Sequence, residues 1–160
     1  MPLSASILAR LQHQHETIAE LIAGLPEEAL KSPVNPGKWS AFENIVHLAA
    51  YQPTFIHRIK LMLEEDEPVF ERYIAENDPL FHKYLEKNLA ELIASIAADR
   101  ELITSLLHQL DEKGLLRTGR HKAYGLISIS AWADFFLLHE AHHLWTIFQL
   151  TRMLTVRPNK

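Results

Sequence analysis

From Ile127 to Leu154 the chain has neither Gly nor Pro, and apolar residues fall on almost every side of the helix this stretch predicts. A helix that is apolar all round has to be covered on more than one face. Other long helices of the same chain can cover one side and a second subunit another. The run is long enough to raise the question of a membrane span, but its middle carries Asp134, His139, Glu140, His142 and His143. Those groups would be costly in lipid, so the run is read as the buried helix of a soluble protein.

The rest of the sequence supplies partners for it. Apolar residues at Ile7, Leu11, Ile18, Leu21, Ile22 and Leu25 predict a helix over about 4–24, stopped by Gly24 and Pro26. The Pro- and Asn-containing stretch 27–38 predicts a loop. Ser40 and Glu43 have capping-box spacing and open a second helix to about 63, with a kink expected at Pro53. The acidic stretch 64–78 is read as a loop with a short turn near 70–75. Asp78-Pro79 then starts a third helix, expected to continue to about 110. The basic stretch 113–125 is read as a surface loop, and the final helix begins near Ser128. No stretch shows sustained strand alternation. The expected fold is all-α, a four-helix bundle with long connections, as one domain over 1–160.

Composition narrows function. A net charge of −4 without a basic stripe argues against nucleic acid as a partner. The absence of cysteine removes disulfides, thiolate metal sites and a cysteine nucleophile. The start, Met1-Pro2-Leu3-Ser4, has no basic, apolar secretion signal. A cytoplasmic protein with no membrane partner is expected.

His139 and His143 lie one turn apart on one helix face, a spacing at which two imidazoles can share a divalent ion. The string is also the His-Glu-x-x-His pattern of zinc proteases, with Glu140 in the place of the general base. The common proteases of that type take a downstream third ligand, and 144–160 contains no His, Asp, Glu or Cys. A carboxylate-bridged di-metal bundle needs a second Glu-x-x-His motif, and Glu43 and His47 are four apart. A third ligand must come from upstream, and His47 is the candidate. It flanks the stripe of Phe42, Ile45, Ala49 and Ile56. That position suits a metal ligand and equally a core histidine bonded to a carbonyl.

Gly37-Lys38-Trp39-Ser40, then His47-Leu48-Ala49, then His139 and His142-His143 late in the chain resemble the DinB family of bacterial four-helix bundles. The wider group is similar to bacillithiol-type thiol transferases and mycothiol-dependent maleylpyruvate isomerase. The resemblance implies that His47, His139 and His143 bind one divalent metal, with zinc or nickel foremost. It further implies that this metal activates a low-molecular-weight thiol for transfer to a small molecule. Family members often carry Asp where Glu140 stands and Gln where Thr146 stands.

Three neutral imidazoles leave an open coordination position, which suits catalysis on thiol or water. His15, Tyr51, Glu140, His142 and Thr146 are candidates for the surrounding pocket. Trp39 is expected to pack at the helix start, and Arg117, Arg120, His121 and Lys122 to form either a solvated loop or an anchor for carboxylates. The alternative to an enzyme is a non-catalytic dimeric bundle with a structural or vestigial metal site. A homodimer is expected on either reading.

Overall fold

The computed structural model describes residues 3–156. Met1 and Pro2, part of the start read above, and residues 157–160 lie outside the described residues. The bundle is built from α1 (Ala5–His13) with α2 (Thr17–Ile22), α4 (Ala41–Glu64), α6 (Leu89–His108) and α8 (Ile129–Val156). Short helices α3 (Glu27–Lys31), α5 (Pro79–Leu85) and α7 (Glu112–Leu116) lie in the connections. α4 is central and packs on both α6 and α8. No helix among the described residues is long and apolar enough to cross a membrane.

α4 starts as its sequence predicts. The Ser40 hydroxyl accepts from the Glu43 amide at 3.1 Å, and the Glu43 carboxylate accepts from the Ser40 amide at 2.7 Å. The same grammar recurs at Asn88 and Glu91, and there it divides the expected third helix into α5 and α6. The first helix is also divided, by a 3₁₀ turn over Gln14–Glu16. The loop 27–38 contains α3.

A second difference is a small three-stranded sheet: β1 (Val69–Phe70), β2 (Thr118–His121) and β3 (Gly125–Ser128). β1 pairs parallel with β2, and β2 and β3 form an antiparallel hairpin. The basic stretch expected to be a loop is therefore α7 and this hairpin. Its cations answer the acidic stretch across from it. Arg117 contacts Asp66 and donates to the Met62 carbonyl, Arg120 contacts Glu67, and Lys122 contacts Glu71. The sheet lies close on α4: a Cβ at Gly119 would fall 2.5 Å from the Phe70 ring and 3.0 Å from Met62.

Two apolar clusters fill the interior. One gathers Phe42, Ile45, Ala49, Leu92, Ile96 and Ile147. The other gathers Phe55, Ile59, Ile103, Trp132 and Phe136. Between them runs a layer of polar side chains from α4, α6 and α8, including His47, Gln52, Arg100, His139 and Glu140, and the candidate site is one half of it.

Candidate functional site: a three-histidine cluster

α4 contributes His47 and α8 contributes His139 and His143, and one ring nitrogen from each lies within 4.8 Å of the other two. His47 Nε2 and His139 Nε2 are 2.9 Å apart. Two nitrogens bound at ~2.05 Å to one tetrahedral ion are separated by about 3.3 Å, so the cluster has the span of a metal site. The donor set fits a borderline ion such as zinc or nickel, with no thiolate among the ligands. An ion bound at Nε2 of His47 and His139 would leave the proton of each ring on Nδ1. The Nδ1 atoms of His47 and His139 are buried with no hydrogen-bond partner among the described residues, and buried polar atoms are costly to leave unpaired.

Burial holds all three rings neutral. It lowers His47 to about 3, with His139 adding to the shift. It lowers His139 to about 4, with His142 adding, and His143 to about 2, with His47, His139 and His142 adding. A neutral imidazole keeps the lone pair that a metal needs. These shifts carry a stability consequence. The unfolded chain protonates its imidazoles near pH 6.5, while the folded cluster stays neutral to about 4 or below. The unfolded state thus binds more protons across that window. The contribution is full above pH 6.5 and is lost as pH falls, by up to ~1.4 kcal/mol per pH unit for each ring. Guanidinium unfolding in EDTA at pH 7.5, 6 and 5 is expected to show this slope, and His143→Leu to flatten it. Identical slopes in both proteins would refute the assignment.

Asn44, absent from the sequence expectations, orients the cluster. Its amide donates to the Ser40 carbonyl at 2.8 Å, which turns Oδ1 toward His143 Nδ1, also at 2.8 Å. With Oδ1 as acceptor, His143 Nδ1 carries the proton and Nε2 carries the lone pair. Asn44 is buried one turn before His47, a polar residue in an apolar stripe, and that is the signal that could have found it. Asn44→Leu is expected to weaken zinc binding ~10–100-fold in a competition titration with a chromogenic chelator. Unchanged affinity would remove Asn44 from the site.

The other candidates fall in three places. Tyr51 packs on His139 with ring centroids 4.7 Å apart and on His47 at 6.2 Å. His142 is exposed and sets its ring edge-on to His143 at 5.2 Å. Thr146 donates to the His142 carbonyl at 3.0 Å and lines the groove beside His143. His15 and Glu140 do not join the cluster, which corrects their placement in its pocket. Glu140, 2% exposed, points to the other side of α8 and ion-pairs with Arg100, also 2% exposed. It accepts from Gln14 at 2.9 Å as well. The reason is angular: on α8 residue 140 stands ~100° round from residue 139. His15 lies beside Glu140 and Arg100, whose charges act on it in opposite directions, and burial lowers its pKa. Glu140 therefore does not stand where a zinc protease needs its base.

Trp39 does more than pack at a helix start. It stacks on Phe81 and lies 5.1 Å from the His47 ring and 6.2 Å from the His143 ring. It also walls one of two cavities that border the cluster from different sides. The larger, about 480 Å³, is open and holds His143, Asn44, Trp39, Gln149 and Met153 on its walls. The smaller, about 190 Å³, is lined by His47, His139, Tyr51, Tyr73 and Arg58 among others.

Comparison with known proteins agrees with this architecture. Two proteins of Oceanobacillus iheyensis named "putative metal-dependent hydrolase", OB0413 and OB0782, are 25% and 28% identical to the chain. The alignments span 139 and 141 residues, 86% and 82% of this chain and 79% and 76% of theirs. The fold is similar to that of YfiT from Bacillus subtilis, described as a probable metal-dependent hydrolase with an unusual four-helix bundle topology. The TM-score is 0.79 at 19% identity, covering 94% of this chain and 86% of that one. It is also similar to TT2238, a four-helix bundle protein, with a TM-score of 0.65 at 18% identity over 89% and 95% of the two chains. The family description of the DinB superfamily matches residues 7–147, and the chain belongs to that superfamily.

Proposed function

We propose that the protein is a metal-dependent enzyme in which His47, His139 and His143 hold one divalent ion, zinc or nickel, beside a small-molecule substrate. The observation that carries this reading is the convergence of three neutral ring nitrogens within 4.8 Å. A bound ion would lower the pKa of a coordinated thiol or water toward neutrality. The chain's own part is to keep three imidazoles neutral, to fix the His143 tautomer through Asn44, and to open the cluster to solvent on two sides.

Two cavities bordering one cluster favour a two-substrate reaction. In this reading a low-molecular-weight thiol enters the open groove beside Trp39 and His143, and an electrophile occupies the smaller chamber beside His47 and His139. The chain has no cysteine, so the nucleophilic sulfur is brought in. The names of the relatives favour a second reading, hydrolysis, with water in the place of the thiol. Metal content of untagged protein, followed by turnover of an activated aryl halide and an activated ester with and without a panel of small thiols, separates the two. Thiol-dependent turnover supports transfer. Thiol-independent ester cleavage supports hydrolysis. Inactivity of zinc- and nickel-loaded protein on all combinations would leave the non-catalytic bundle.

A homodimer and a cytoplasmic location belong to the same proposal. The outward face of α8 exposes Leu138 (63%), Trp145 (58%) and Phe148, and the last two rings stack at 5.4 Å. Apolar groups at that helical spacing suit a self-complementary contact. Wild-type protein is expected to sediment as a dimer and Trp145→Glu as a monomer; a monomeric wild type at ~100 µM would exclude it. A reducing compartment supplies free small thiols, and cell fractionation tests the location.

A further inference from the structure

The smaller chamber carries a charge that the metal reading does not use. Arg58 and Arg72 line it, and no Asp or Glu does. Arg58 is 7% exposed. Its Nη2 donates to the Glu71 carbonyl at 2.7 Å, and the guanidinium lies 5.4 Å from the Phe70 ring and 5.5 Å from the Trp132 ring. Among the described residues it has no carboxylate partner, in contrast to Arg117, Arg120 and Lys122 nearby, each of which contacts an acidic side chain. Arg72, exposed at the same chamber, makes no hydrogen bond or ion pair among the described residues. Burying a guanidinium without an anion is costly, and rings hold it in place without neutralising it.

We propose that this chamber binds the carboxylate of a small organic acid through Arg58 and Arg72. A guanidinium presents its N–H groups in a planar fork that matches a carboxylate. The remaining walls are aromatic, from Tyr51, Tyr73, Tyr124 and Phe135, and accept a flat or unsaturated body. At about 190 Å³ the chamber is smaller than the ~300–1,000 Å³ typical of drug-sized ligands. His47 and His139 wall the same space, so an acid anchored at the arginines presents its far end to the histidine cluster. Only that last step rests on the proposed function; the carboxylate site itself stands without a metal.

Calorimetric titration with benzoate and with benzamide, on zinc-loaded and on EDTA-treated protein, tests it. Benzoate is expected to bind at least about tenfold more tightly than benzamide in both forms. Arg72→Gln, an exposed change that spares folding, is expected to weaken benzoate about five- to tenfold and leave benzamide unchanged. Arg58→Lys is expected to weaken benzoate further, because an ammonium cannot reproduce the fork. Equal affinities for the two probes, or benzoate binding indifferent to Arg72→Gln, would overturn the proposal. A preference for benzoate that needs zinc and survives Arg72→Gln places the carboxylate on the ion, so the chamber fails and the metal reading stands. A preference in stripped protein that Arg72→Gln abolishes upholds the chamber even if zinc proves not to bind.

Discussion

His143→Ala protein, expressed without a tag and reloaded with zinc, is expected to retain less than ~0.1 ion per chain where the wild type retains about one. His47→Ala and His139→Ala are expected to behave alike, each losing more than ~100-fold in affinity. The size of the effect follows from the ligand count. With three protein ligands, removing one leaves a two-imidazole site, and the loss exceeds the ~10–100-fold typical of losing a residue that merely orients a ligand. Asn44→Leu should therefore fall between these variants and the wild type. Turnover should vanish in all three alanine variants, and circular dichroism should show the helices intact. Full zinc occupancy in all three would end the metal assignment.

How much of this the sequence showed depends on which physical rule each residue obeys. The His139–His143 pair was legible because helical spacing alone places both rings on one face. The start of α4 was legible in Ser40 and Glu43. The same rule was available at Asn88 and Glu91, but the apolar stripe continues from Leu85 to Leu89 and Leu92 and hides the break between α5 and α6. His47 could not be assigned from spacing, since its partners lie some 92 residues away; the family resemblance selected it. His15 was misplaced because a uniform helix over 4–24 keeps one phase. The 3₁₀ turn at Gln14–Glu16 advances fewer residues per turn, and His15 sits inside it, beside Glu140. The hairpin escaped notice because its strands are four residues each with little alternation. Gly119, which weakens a strand by propensity, is there because the Phe70 ring of β1 and Met62 of α4 leave no room for a side chain. Arg58 and Arg72 carry no motif. Their significance lies in making no ion pair among the described residues, which only packing reveals.

Arg100→Met is expected to lower stability by ~3–5 kcal/mol, about 6–20 °C in Tm for a chain of this size. Arg100 donates to Glu140, to Gln52 at 3.2 Å and to the Leu11 carbonyl at 3.4 Å, and Gln52 in turn donates to the Ile96 carbonyl at 3.1 Å. The network thus joins α1, α4, α6 and α8 in the polar layer between the two apolar clusters. Removing the guanidinium strands a buried carboxylate that still accepts from Gln14, and removing the carboxylate in Glu140→Gln strands a buried cation. The double variant Arg100→Met/Glu140→Leu removes both charges and is expected to recover most of the loss, because the desolvation of both ions disappears with them. Thermal unfolding of the wild type, Arg100→Met, Glu140→Leu and the double variant closes the cycle and measures the coupling. The same series, with Glu140→Gln added, decides the role of Glu140. If it holds the fold, folded Glu140→Gln protein keeps its zinc and its rate. If Glu140→Gln stays stable but loses its rate by orders of magnitude, the carboxylate takes part in the chemistry, and its pairing with Arg100 must open during turnover.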